Sequence, residues 1–374
     1  MYLLWLTDNY FPNKGGMAQS CDRIVYHLRQ SGVQIDVLHF SDRTEQVVHT
    51  MVQGGHNITF PVEVDLAHTL NLAWNFLQHQ GQRYTQVITF GGHASLLAAP
   101  VWAAWLGCPL VTLIRGNDFD AGIFHPRKMA TLERALSRSA AVACVSKDKV
   151  HKIQSLYPQV AVYHTPNGVD LDEWQLAPTD ERFAHQWRQA RQLEGRRVMG
   201  IFGHLKSKKG VLFLLKCLQV AARNDKFHLL IVGELEAQVA AFLQTQDKLR
   251  HTHYAFMERL ALLPYYAACD LIAIPSFYDG QPNVLLEAAA LGIPLLAAEV
   301  AGMQDTLTHG IHGQLFAPGD WESCRTAIQQ MADCPLQQLQ TMGKACQQLV
   351  QQHFTHQQET QRYLEIFHRL EQTS

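Results

Sequence analysis

Residues 274–294 read Ile-Pro-Ser-Phe-Tyr-Asp-Gly-Gln-Pro-Asn-Val-Leu-Leu-Glu-Ala-Ala-Ala-Leu-Gly-Ile-Pro. The apolar run Asp270–Pro275 that leads into them is short enough to be a buried strand. A loop with Asp279 and Gly280 follows. Pro282 and Asn283 stand where a helix would begin, and Val284–Leu291 is rich in good helix formers. Gly292 and Pro294 stop that helix, and a second buried strand, Ile293–Ala298, begins at once. One acid, Asp279, therefore precedes a helix, and a second, Glu287, lies on its second turn. A helix N-terminus carries unpaired N–H groups and partial positive charge, which suits phosphate. Gln281, Asn283 and Val284 border that terminus, so acid, amides and acid together can read a sugar, a diphosphate and a ribose. An ordinary strand–loop–helix would instead use Asp279 as a turn residue and leave Glu287 solvated.

The rest of the chain repeats the pattern. In the first half, Tyr2–Leu6 is a buried strand candidate, followed by the loop Thr7–Ala18 with Gly15 and Gly16, a periodic helix from about Ala18 to Ser31, and a strand at Gln34–Phe40. The glycine spacing is not that of a dinucleotide fingerprint. Further strands are expected at Val87–Phe90, Leu110–Ile114, Ala140–Val145 and Val160–His164. Gly91-Gly92-His93 and Arg115-Gly116-Asn117-Asp118 follow two of them, at the carboxyl ends where open parallel sheets bind ligands. His93 is read either as a helix-capping residue or as part of a site. Arg115 cannot act as a base; it either pairs with Asp118 or Asp120 or clamps a phosphate or carboxylate. Residues 171–197 are polar and read as a linker with an exposed helix.

The second half starts with a strand, Arg197–Phe202, then Gly203-His204-Leu205-Lys206-Ser207-Lys208-Lys209-Gly210 and an apolar helix, Val211–Ala221. A loop with three lysines and a histidine can neutralise a diphosphate without a metal; a solvated basic loop is the plainer alternative. A strand at His228–Val232, a short strand and turn at His253–Met257, a helix at Leu260–Ala268 with Tyr265 and Tyr266 as packing residues, and a polar helical tail complete the chain. The tail carries Leu349, Phe354, Tyr363, Ile366, Phe367 and Leu370 as its apolar stripe.

Composition sets the bounds. The chain has 374 residues, enough for two cores, with a hydrophobic fraction of 47% and a formal charge of −2, which argues against nucleic acid as a partner. Eight cysteines without metal-binding spacing point to a reducing, cytoplasmic setting. No apolar run approaches a membrane span. Pro126–Arg138, with four basic residues beside Glu133, suggests at most a weak peripheral membrane contact.

The string Asp279-Gly280-Gln281-Pro282-Asn283-Val284-Leu285-Leu286-Glu287-Ala288 resembles the motif of the retaining glycosyltransferases of family 4, in which two glutamates are separated by seven residues. The spacing matches, but Asp279 is one methylene shorter than the usual first acid. Pro12-Asn13-Lys14-Gly15-Gly16 is similar to the family's loop near the donor phosphates, and Thr165–Asp170 to a string ahead of its interdomain linker. Lys209-Gly210 matches its pyrophosphate loop, with His204 in place of an Arg. Gly310–Phe316 matches a hairpin-like string, and Glu299–Asp305 a glycine-rich turn.

The resemblance implies a GT-B fold: two facing Rossmann-like α/β domains with a cleft between them, residues 1–185 on the acceptor side, 186–348 on the donor side, and 349–374 as a helix crossing back. It implies a retaining, metal-independent hexosyltransferase that takes a UDP- or GDP-sugar as co-substrate, with no cofactor. Asp279, Lys209, His204, Arg115 and His93 are then the expected catalytic residues. Gly15, Gly16, Lys208, Gln281, Asn283, Val284 and Glu287 are the expected donor-binding residues. A sugar-nucleotide epimerase, a sugar phosphorylase, a catalytically weak nucleotide-sugar-binding subunit and a plain nucleotide-binding protein remain open alternatives.

Overall fold

Residues 1–62, 65–246 and 249–373 are described by a computed structural model of the chain. They divide into two units, Met1–Asn167 with His356–Ser374, and Gly168–Thr355. The first unit holds β1 (Tyr2–Thr7), α1 (Gly16–Gln30), β2 (Gln34–Ser41), β3 (Val48–Val52), β4 (Gly55–Pro61), α2 (Leu66–Gln80), β5 (Gln86–Phe90) and α3 (His93–Leu106). It continues with β6 (Leu110–Ile114), α4 (Asn117–Asp120), α5 (Pro126–Arg138), β7 (Ala141–Cys144), α6 (Lys147–Leu156) and β8 (Ala161–His164).

The strand order is β3-β4-β2-β1-β5-β6-β7-β8. All neighbours are parallel except the edge pair β3–β4. Helices cover both faces, which explains why the strands are apolar throughout rather than alternating. Leu3 and Trp5 pack with α1 residues such as Ile24 and Leu28. Leu4 and Leu6 point the other way, toward Ala73, Ala99 and Trp102 of α2 and α3.

The second unit holds α7 (Pro178–Ala190), β9 (Arg197–Phe202), α8 (Val211–Val220), β10 (Phe227–Val232), α9 (Ala237–Gln244), β11 (His251–Tyr254) and α10 (Arg259–Ala267). It continues with β12 (Leu271–Ile274), α11 (Asn283–Ala290), β13 (Leu295–Ala298), α12 (Ala301–Thr306), β14 (Gly313–Phe316), α13 (Trp321–Asp333) and α14 (Leu336–His353). Its sheet, β11-β10-β9-β12-β13-β14, is parallel throughout. The last helix, α15 (His356–Thr373), belongs to the first unit.

Several expectations change here. The division falls at Asn167/Gly168, whereas the sequence alone places it at 185/186. The helix expected within 171–197 is α7, but it is not simply exposed: it buries Ala184 and Trp187, the Trp187 indole donates to the Tyr254 hydroxyl at 2.9 Å, and Arg188 pairs with Asp270 at 2.9 Å. The tail is two helices. Leu349 and Phe354 pack in the second unit, whereas Tyr363, Ile366 and Phe367 lie in the core of the first. The string at Gly310–Phe316 closes a turn, Gly310 N–H to Gly313 carbonyl at 2.8 Å, but then runs parallel to β13, so it is not a hairpin. Residues 301–306 form α12, where the resemblance implies a glycine-rich turn. Among the described residues no helix is long and apolar enough to cross a membrane.

Candidate functional site

In an open parallel sheet the loops on either side of the point where strand order reverses part from one another and leave a crevice at the carboxyl edge. In the second unit that point lies between β9 and β12. The loop after β9 is 203–210, with the lysines; the loop after β12 is 275–282, with Asp279. The chain therefore delivers both strings to one place, although Lys209 and Asp279 are 70 residues apart.

Close packing of backbone joins the two loops. Lys208 carbonyl accepts from Phe277 N–H at 2.9 Å. Gly210 has φ +63°, and a Cβ there would sit 2.0 Å from the Pro275 carbonyl oxygen. Only glycine both tolerates that conformation and permits that approach. The Lys209 ammonium donates to the Asp279 carboxylate, and Asp279 also accepts from Gly280 N–H at 3.0 Å. Burial pushes the Asp279 carboxyl up, but the Lys209 and Lys208 charges and the lysine hydrogen bond outweigh it and hold it below the usual carboxylate range. The Lys208 ammonium lies 5.6 Å from the Tyr278 ring centroid.

The start of α11 borders the same loops: Val284 Cγ2 lies 3.8 Å from where a Cβ on Gly203 would be. Asn283 is the first residue of the helix and Pro282 precedes it. Gln281 is buried and donates to the Thr306 hydroxyl at 2.8 Å, which donates to the Gly302 carbonyl at 2.6 Å. Gly302 N–H in turn donates to the Gly280 carbonyl at 2.9 Å, so α12 braces the Asp279 turn. Glu287, 8% exposed, accepts from the Tyr266 hydroxyl at 2.7 Å. Lys209, Lys208, Asp279, Asn283 and Val284 thus share one crevice edge. His204 lies on the same lysine loop, with its Nε2 3.2 Å from Glu234 and both side chains exposed.

In the first unit, order reverses between β1 and β5. Gly15 (φ +108°) and Gly16 start α1 after β1, and exposed His93 starts α3 after β5. Asp8, which the sequence reading passes over, links the two loops: its carboxylate accepts from Ala94 and Ser95 N–H, both at 2.9 Å. Burial raises its pKa despite those bonds. The sequence signal was an acid at a strand's carboxyl end. Arg115 does not serve as expected. It is buried, and its guanidinium donates to the Tyr363 hydroxyl at 2.7 Å, to Asn167 Oδ1 and to the Thr165 carbonyl at 3.4 Å, with Glu359 at 3.6 Å. The carboxylate beside it is the protein's own, and with the Tyr363 bond it ties Arg115 to α15.

Comparison with known proteins follows this division. Residues 14–173 match the family model described as glycosyltransferase family 4, and residues 196–333 that described as glycosyl transferases group 1. The chain is 26% identical over 278 residues to a D-inositol 3-phosphate glycosyltransferase of Kribbella flavida, an alignment that covers 68% of this chain and spans 63% of the length of that relative. Sucrose-phosphate synthase of Thermosynechococcus elongatus superposes with a TM-score of 0.82 at 18% identity over 100% of both chains. Anabaena HepE in complex with UDP-glucose superposes with a TM-score of 0.77 at 19% identity over 99% of this chain and 100% of that one. At these identities the two solved structures speak for the fold.

Proposed function

The chain belongs to glycosyltransferase family 4 and has that family's GT-B fold, and on this premise we propose that it moves a hexosyl group from a nucleoside-diphosphate sugar to an acceptor hydroxyl with retention at the anomeric carbon. Lys209, assisted by Lys208 and the amides of Asn283 and Val284, takes up the charge of the departing diphosphate. Fixed positive groups of this kind act most strongly where water is scarce, so the step asks for no metal ion. Glu287 accepts from the ribose hydroxyls, and Asp279 lies where it meets the donor sugar. The acceptor oxygen attacks the anomeric carbon on the face from which diphosphate leaves; the sugar–phosphate bond breaks, and the acceptor proton passes to a phosphate oxygen. The first unit, with His93 at its carboxyl edge, is assigned to the acceptor. A weak contact with an anionic bilayer through α5 belongs to the same reading.

The observation that carries the proposal is the Lys209–Asp279 contact at the reversal point of the second sheet, beside the start of α11. The UDP-glucose complex of the structural relative HepE supports a nucleotide sugar as the ligand class. The test is a panel of UDP-, GDP- and ADP-sugars assayed for donor hydrolysis and for transfer. Lys209→Ala and Glu287→Ala should each abolish turnover while circular dichroism stays that of the parent. Full activity in both variants removes the assignment.

A further inference from the structure

Tyr266 is a packing residue by sequence, but its hydroxyl does something packing does not require. The ring is fully buried, set edge-on between Trp174 at 5.4 Å and Phe202 at 4.6 Å, and the hydroxyl donates to Glu287 Oε2 at 2.7 Å. A phenylalanine would fill the same space. The oxygen is held against the one acid of α11, at a helix whose buried face is otherwise Leu and Ala.

We infer that Tyr266 is a positioning residue for nucleotide recognition, fixing the rotation of the Glu287 carboxylate so that its lone pairs meet the ribose hydroxyls of the donor. The inference rests on the reading of Glu287 as the ribose-binding acid. The geometry supports it in three ways. A carboxylate on a glutamate turns about its last bond over a broad range; a short bond from a rigid phenol removes that freedom. The phenol is itself immobilised: its ring has aromatic neighbours on two sides, and Phe202 is the last residue of β9, directly before the lysine loop. Burial, the Glu287 charge and the hydrogen bond all push the Tyr266 phenol well above its ordinary pKa, so the phenol keeps the proton it donates to the carboxylate. A hydroxyl-reading site of this kind gains selectivity from groups held in place before the ligand arrives.

The test compares nucleotides that differ only in the ribose hydroxyls. Calorimetry with UDP, GDP and ADP, each beside its 2′,3′-dideoxy counterpart, selects the pair that the parent protein discriminates best; that ratio should be tenfold or more. In Tyr266→Phe, affinity for the hydroxylated nucleotide should fall about tenfold, affinity for the dideoxy form should hold, and the ratio should approach that of Glu287→Gln. The double variant should match Glu287→Gln alone, since a residue acting through another adds nothing once that residue is gone.

An unchanged ratio in Tyr266→Phe overturns the inference, as does an equal fall for both nucleotides, which is the mark of a purely structural role. If Tyr266→Phe leaves the ratio unchanged while Glu287→Gln collapses it, only the role of Tyr266 is lost. If Glu287→Gln also leaves it unchanged, or if the parent discriminates no pair, the reading of Glu287 falls with it. A Tyr266→Phe protein that does not fold overturns the claim that its ring supplies the packing and its oxygen the orientation.

Discussion

Asp279 stands one methylene short of the family's usual acid and is joined to Lys209, the residue assigned to the leaving group. A shorter acid drawn onto the lysine reaches less far toward a bound sugar. Asp279→Glu should therefore change the order of preference among nucleotide sugars by severalfold; an unaltered order across the panel counts against a selective role. The pH dependence separates this pair from other buried groups. A carboxyl whose native pKa is depressed contributes stability that is complete above its unfolded value, near about 3.9, and is lost only as pH falls through the lower native value. The pair therefore persists through the neutral range.

His39 behaves in the opposite sense: burial pushes it down to about 4, though backbone contact with Asp8 and the Asp42 charge oppose this. Its unfolded pKa is near about 6.5, so between pH 6.5 and 4 the unfolded chain binds a proton that the native one refuses. Stability then drops with falling pH by about 1.4 kcal/mol per unit. His39→Gln, which can keep a partner for Asn13 at 3.2 Å, should flatten the melting temperature measured across that window. An unchanged slope removes His39 as the cause. Lys209 and Asp279 were legible as loop residues after β9 and β12, and Glu287 as a residue of α11, because spacing within short strings survives folding. Arg115 was not, because its partners Tyr363 and Glu359 lie 248 and 244 residues away (363 − 115 and 359 − 115) and no local pattern names them.

Elements read well where burial dictated the residues. The strands at Leu110–Ile114 and Arg197–Phe202 coincide with their apolar runs, and β12, β13 and α11 fall within a residue or two of theirs. The strand β3 left no such trace, since Val48–Thr50 and Met51 are exposed and an edge strand open to solvent has no need of an apolar face. The helix α7 was expected in this stretch, but its buried side was not legible, since Ala184 and Trp187 are its only buried positions within a polar sequence.

The lysine turn permits a sharp test at this scale. Gly210→Ala forces a side chain into positive φ and against the Pro275 carbonyl. The expected cost is about 3 kcal/mol or more, read as a lowered denaturant midpoint, and turnover should fall further than the loss of folded protein explains. Gly195→Ala supplies the control: its φ is also positive, at +74°, but nothing lies within 4 Å of the added carbon. Equal losses in the two would show that conformation alone, not the approach of the loops, sets the cost.

The helix α5 presents Arg127, Lys128, Arg134 and Arg138 to solvent beside Glu133, a net of +3 from four cations and one acid. Each cation near an anionic surface contributes about 1 kcal/mol at low salt. Co-sedimentation with phosphatidylglycerol vesicles should thus be weak, fade as salt rises, and vanish in Arg134→Glu with Arg138→Glu. Equal pelleting with neutral vesicles would exclude this contact.

The chain as a whole enters the second unit after Asn167 and returns at His356, and in the first unit both junctions are tied to one buried cluster. Asn167 Oδ1 accepts from Arg115 and, at 3.1 Å, from Arg23; Glu359, on the first turn of α15, accepts from Arg23 Nε at 2.9 Å and lies 3.6 Å from Arg115. Tyr363 and Phe367, one and two turns further along, are fully buried in the core with Trp5 and Phe90. This arrangement explains why the polar stretch after Asp170 misled a reading for the boundary. The boundary is set by where a buried ion cluster holds the chain, and that cluster is assembled from residues at both ends of the sequence.

Removing the acid from such a cluster strips buried Arg115 and partly buried Arg23 of the carboxylate they share, at a cost of about 3–5 kcal/mol. Glu359→Ala should therefore lower the thermal transition of the first unit and leave that of the second in place, giving two separated peaks by calorimetry. Glu359→Gln, which keeps an acceptor for Arg23, should shift the first peak by less. A single peak that moves as one would mean that the units melt together and that the cluster stabilises the entire chain rather than the unit that contains it.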